Sequence, residues 1–213
     1  MILTVGDSFT YGEELDNRES LAWPYLLANA MGTTVLNLGQ GGASNDYIFR
    51  TAIEETTKCK FDLVIVGWAE FSRMEVWFNN KPVSVTAQSR WAQVGSFSWL
   101  HNFYKYNYND QHAYKVTACK MLALQEYFKS IDQRYIFCNV AGLRPRLYAE
   151  YKNEMLSIWN KIDTRFFAGW PHEGMLEWQG DCNKGPGGHP LELGHKRIEE
   201  KLYEHIRNLG WLS

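Results

Sequence analysis

Residues 61–68 read FDLVIVGW. Leu63 to Val66 leaves no polar position on either side of a strand, so both faces must be covered. That is the condition of a parallel sheet with helices packed on both sides, whereas a half-exposed antiparallel strand alternates. The rest of the chain supplies the partners. Met1–Val5 is a short apolar run closed by Gly6-Asp7-Ser8, which reads as a buried strand ending in a tight turn. Thr33–Leu38, Arg134–Val140 and Thr164–Phe167 read as further strands. Helices are expected at 20–31, 45–57, 112–130 and 150–161. The last helix carries Ile198, Leu202, Ile206 and Leu209 on one stripe. Ser20 is the expected cap of the first helix, Gly32 lies past its end, and Pro24 fits only in its first turn.

Strand and helix alternate, which predicts an α/β fold with right-handed crossovers and about five parallel strands. With 213 residues the chain is long enough for one substantial core and too short for two domains to be expected, so residues 1–213 read as a single domain. Residues 71–111 interrupt the alternation. From Trp77 to Tyr108 stand nine aromatic residues among polar ones with no clean period, and the stretch reads as a part-helical insertion or lid. Gly169 to Pro190 reads as a loop.

Charge narrows the partners. Net charge is −2, so no basic excess exists to hold a nucleic-acid backbone or an anionic membrane. No apolar run reaches membrane-spanning length and no signal peptide is visible, so a cytoplasmic protein is expected. Cys59, Cys119, Cys138 and Cys182 form no CxxC pair and are expected to be reduced and mostly buried.

Three segments carry chemistry. GDSFTYG at 6–12 places Ser8 directly after a buried strand, where ligands bind in sheets of this kind. NLGQGGAS at 37–44 follows the second strand, and its glycines let backbone N–H groups approach a ligand. GGHPLELGH at 187–195 sets His189 just before the final helix. A serine hydroxyl is a weak nucleophile until a base takes its proton, and histidine has the pKa for that work. Each segment alone also fits ordinary turn chemistry.

Together, and in this order, the three segments resemble the SGNH (GDSL-like) hydrolase family, over almost the whole chain. The resemblance implies a three-layer α/β/α sandwich with a flavodoxin-like parallel sheet. It implies Ser8 as nucleophile and His189 as base, with the N–H groups of Ser8 and Gly42 as oxyanion donors. It implies no cofactor. Two positions depart from the family pattern. Where the family's third block has Asn, this chain has Ala69, which lacks a donor; Asn45 or Arg73 could substitute, with Ser44 a weaker choice. Three residues before His189 the family has Asp, and this chain has Pro186. Asp181 is then the candidate orienting acid, unless a backbone carbonyl completes a Ser–His dyad. Asp7, which in the family serves structure, Trp68 and Arg73 border the crevice and are candidates for contact with substrate.

The expected activity is hydrolysis of carbohydrate O-acetyl or small acyl esters through an acyl-enzyme. The competing reading is an SGNH-fold protein with weakened or lost catalysis that serves as a carbohydrate-binding or structural module. Asp181, Cys182, His189 and His195 are ligand types that suit zinc, but their spacing matches no familiar zinc pattern and no metal is expected. Arg144 and Arg146 follow the fourth strand and are candidates to hold an anionic group at the crevice.

Overall fold

The computed structural model describes residues 1–86, 99–142 and 157–212. Five parallel strands form the central sheet: β1 (Ile2–Gly6), β2 (Val35–Gly39), β3 (Leu63–Trp68), β6 (Tyr135–Asn139) and β7 (Phe167–Ala168), in the order β2-β1-β3-β6-β7. The order reverses direction at β1, so the carboxyl ends of β1, β2 and β3 open a crevice of the kind in which α/β proteins bind ligands.

Alternate residues of the strands point to opposite faces and feed two cores. Leu3, Val5, Val64, Val66 and Phe137 face α4 (Asn45–Lys58) and α6 (Asp110–Ser130). Ile2, Leu63, Ile65, Ile136 and Cys138 face α3 (Trp23–Ala30), α7 (Met175–Trp178) and α8 (Glu192–Asn208). This is the three-layer α/β sandwich expected from the FDLVIVGW run, whose residues Leu63 to Trp68 are all buried. Burying each large aliphatic side chain contributes about 1.5–3 kcal/mol.

The helix expected over 20–31 is two helices, α2 (Arg18–Leu21) and α3, meeting at Ala22. Pro24 sits in the first turn of α3, where no backbone donor is required. Ser20 lies inside α2 and Asn17 precedes it, so the cap expected at Ser20 is displaced. The last strand is β7, preceded by a 3₁₀ turn at Thr164–Phe166 where a strand was expected to begin. The helix expected at 150–161 lies mostly outside the described residues, as do Arg144 and Arg146.

The insertion holds an antiparallel hairpin, β4 (Met74–Phe78) and β5 (Lys81–Val85), and a short helix α5 (Trp99–Asn102) that runs into a π turn. Asn79 and Asn80 form the two-residue turn, both at positive φ (49° and 58°), which is the chemistry of a type I′ hairpin. Val85 and Leu100 form a small core of their own with Met74, Phe78 and Tyr104 around them, while Trp77 and Tyr106 are exposed. Of the cysteines, Cys138 and Cys182 are buried, whereas Cys59 and Cys119 are exposed; all four are free thiols. No helix among the described residues is long and apolar enough to cross a membrane.

Candidate active site

Strand β1 ends at Gly6, where a Cβ would stand 2.1 Å from the Thr10 hydroxyl, so only glycine lets the chain turn here. Asp7 caps α1 (Ser8–Tyr11), its Oδ1 accepting from the Phe9 N–H at 3.0 Å. Ser8 opens that helix at the edge of the sheet and is 5% exposed. The helix is held to β2 by Asn37, whose amide donates to the Thr10 carbonyl at 2.9 Å. Its Oδ1 accepts from Thr4 and from the Gly39 N–H, both at 3.0 Å.

Asp7 is fully buried and pairs with Arg73, Nη1 to Oδ2 at 2.9 Å. Burial pushes the Asp7 carboxyl above the usual carboxylate range, outweighing the neighbouring guanidinium. The same Nη1 donates to the Ala43 carbonyl at 3.3 Å. Arg73 therefore bridges the turn after β1 and the turn after β2. Gly42 lies in that second turn at φ 73°, with open space where a side chain would stand, so the backbone is accessible there.

His189 is oriented by a residue that was not expected. Its Nδ1 lies 3.0 Å from Glu14 Oε2, and the same carboxylate accepts from the His189 N–H at 3.1 Å and the Gly187 N–H at 2.5 Å. These backbone donors, with His189, hold the Glu14 carboxyl below the usual range, even against its partial desolvation. An ionised carboxylate on Nδ1 fixes the tautomer with the proton on Nδ1 and leaves Nε2 as the base. The ring packs edge-on against Phe9, the residue after Ser8, at 5.9 Å between centroids. Glu14 itself sits at φ 68°, a conformation a glutamate rarely adopts and one that recurs where function requires it. Among the described residues, the hydrogen bonds of the site run from His189 to Glu14 and from Arg73 to Asp7 and Ala43, and none engages the Ser8 hydroxyl. In unliganded sites the nucleophile–base bond is often long.

Five sequence expectations are corrected by these placements. Asp181 does not orient His189: its side chain is 95% exposed and pairs with Arg197 at 3.0 Å. Asn45 is not free to hold an oxyanion. Its carboxamide brackets Ala69, donating to the carbonyl at 3.1 Å and accepting from the N–H at 2.9 Å. Trp68 is buried in the core, edge-on to Phe137 at 5.5 Å, and does not face the crevice. Asp7 is out of reach of substrate, buried behind Arg73. Ser44 is occupied as well, capping α4 through the Tyr47 N–H at 3.3 Å. Arg73 alone remains of the groups proposed to replace the missing donor.

His195, the last residue of the HPLELGH stretch, is wholly buried, and its Nδ1 accepts from the Trp23 N–H at 3.2 Å. It thereby satisfies an amide at the start of α3. Burial depresses its pKa to about 4, so it is a neutral acceptor tying α8 to α3.

The model of DUF6071, a family of unknown function, matches residues 10–213. The chain belongs to this family. The matched region begins just past Ser8 and includes Glu14, Arg73 and His189. A search of curated proteins finds no match to this DUF6071 sequence. Solved structures resemble it in fold. The crystal structure of TesA is 14% identical with a TM-score of 0.62, and each chain covers 98% of the other. An acetyl xylan esterase from Butyrivibrio proteoclasticus is 14% identical with a TM-score of 0.58; the match covers 100% of this chain and 64% of that one. A putative lipolytic protein of the G-D-S-L family from Desulfitobacterium hafniense is 15% identical with a TM-score of 0.52, covering 96% and 98%. The DUF6071 chain thus has the SGNH hydrolase fold. It spans 64% of the length of the first carbohydrate esterases it resembles.

Proposed function

We propose that this protein hydrolyses esters, with carbohydrate O-acetyl or small acyl esters as substrates. The observation that carries the reading is the Glu14–His189 hydrogen bond. A base whose Nδ1 is oriented by a carboxylate, and whose ring packs on the residue that follows a serine at the end of a strand, suits nucleophilic catalysis. Ser8 attacks the ester carbonyl as His189 Nε2 takes its proton. The N–H groups of Ser8 and Gly42 stabilise the oxyanion, with the Arg73 guanidinium adding positive charge beside them. The alcohol leaves with the proton from His189, and water releases the acyl group by the same route in reverse. No cofactor takes part in these steps.

Ala69 favours a second reading. With no side-chain donor at that position, one oxyanion contact is lost, which costs about 10²–10³ in rate, and the fold could then serve binding instead. Hydrolysis of p-nitrophenyl acetate and of an acetylated oligosaccharide, with Ser8→Ala in parallel, separates the two. The esterase reading expects turnover that Ser8→Ala abolishes with the fold intact; a Ser8→Ala protein hydrolysing at the parental rate would contradict it.

A further inference from the structure

A cavity of about 290 Å³ lies at the carboxyl ends of β3 and β6, under the first half of α6. This is near the lower end of the size of ligand pockets, roughly 300 Å³ upward. Neither Ser8 nor His189 lines it. It adjoins their crevice through Ser72, the neighbour of Arg73, and β6 lies roughly 10 Å from β1, two strand spacings away.

Among the described residues, four aromatic side chains line it. Tyr114 meets Phe71 at 4.1 Å and Trp159 at 6.3 Å between centroids, and Trp159 meets Trp170 at 5.8 Å, all edge-to-face. Such a chain of contacts holds the rings in place before any ligand arrives. Ala118 leaves room on the α6 side. Asn139 also lines the cavity. It is 4% exposed, and its Nδ2 has no hydrogen-bond partner among the described residues. An unmet buried amide costs about 1–3 kcal/mol, which a ligand oxygen would recover.

Charge limits the ligand. Among the described residues the lining contains no Lys or Arg, and it includes the exposed carboxylates Glu70 and Asp110, a charge balance that disfavours an anion. A cation would meet the donor face of the Asn139 amide. A plain acyl chain would leave that donor unmet. A neutral ring bearing hydroxyls satisfies all of these: its C–H face lies on the aromatic wall, one oxygen accepts from Asn139, and outward hydroxyls donate to the carboxylates.

We propose that this cavity binds one neutral sugar ring, through the aromatic wall and a hydrogen bond donated by Asn139. Assigning that ring to the alcohol side of the ester rests on the esterase reading; the binding itself does not. The test is calorimetric titration of the Ser8→Ala protein with methyl β-xylopyranoside and, separately, with benzyl alcohol. The expected result is a low-millimolar dissociation constant for the sugar. Benzyl alcohol should bind more weakly. Asn139→Leu should weaken sugar binding about tenfold, and Ala118→Met, which fills the cavity from α6, should abolish it. Circular dichroism and thermal melting check the fold of each variant; if Asn139→Leu does not fold, Ala118→Met carries the test. The proposal is overturned by no sugar binding, by tighter binding of benzyl alcohol, or by an unchanged sugar affinity in either folded variant. None of these outcomes depends on turnover, so failure here is distinct from failure of the esterase reading.

Discussion

Glu14 joins three donors of the 187–189 turn from a backbone angle that costs energy, and it reaches His189 across 175 positions of sequence. The turn makes room for it: a Cβ at Gly185 would stand 2.6 Å from the Glu14 carboxyl. Glu14→Gln keeps the shape but offers the Nδ1 side an amide donor, which favours the wrong tautomer of His189. Steady-state kinetics should show kcat reduced about 10²–10⁴-fold with KM little changed. An unchanged kcat would mean that Glu14 only anchors the loop. Ser8, Gly42 and His189 could be nominated from the sequence because each sits in a short local pattern. Glu14 was not, because nothing near GEEL announces a partner in a loop at the other end of the chain. The signal available was indirect: a carboxylate just after the serine turn, and a run of glycines beside the histidine with space for it. Asp181 was the misleading choice, since proximity in sequence to His189 does not bring it to Nδ1.

Elements were legible where burial on both faces leaves an apolar run, as in β1, β3 and β6. They were missed where a local conformation decides the outcome. The β4–β5 hairpin depends on Asn79 and Asn80 accepting positive φ, and aromatic content hid its period. The break between α2 and α3 follows from Pro24. Asn45 marks a different kind of miss, an element-to-element tie. From the first turn of α4 its carboxamide satisfies both the N–H and the carbonyl of Ala69, just past β3. Asn45→Ala leaves both groups buried and unpaired, so denaturant unfolding should show a loss of about 2–4 kcal/mol. If stability is unchanged while kcat falls, Asn45 acts on the reaction instead.

Across the whole molecule, two cores grip one sheet, and the Trp23–His195 bond links α3 and α8 on one of those faces. This linkage is pH-dependent in a definite direction. The His195 pKa falls from 6.5 to about 4 on folding, so between those values the unfolded chain binds a proton that the folded protein does not. Its contribution is complete above pH 6.5 and is lost as pH falls toward 4, about 3 kcal/mol in all. Denaturant midpoints from pH 7 to pH 4 should therefore drop more steeply for the parent than for His195→Gln, and parallel curves would refute the assignment. The site that this scaffold presents is assembled from the first strand turn, the second, the segment after β3 and the loop before α8. The most direct test of its proposed chemistry is mass spectrometry after reaction with a p-nitrophenyl alkylphosphonate, which traps an activated serine. The account predicts a single adduct on Ser8, absent in Ser8→Ala and formed far more slowly in Glu14→Gln. An adduct that persists in Ser8→Ala, or none at all on the folded parent protein, would contradict it.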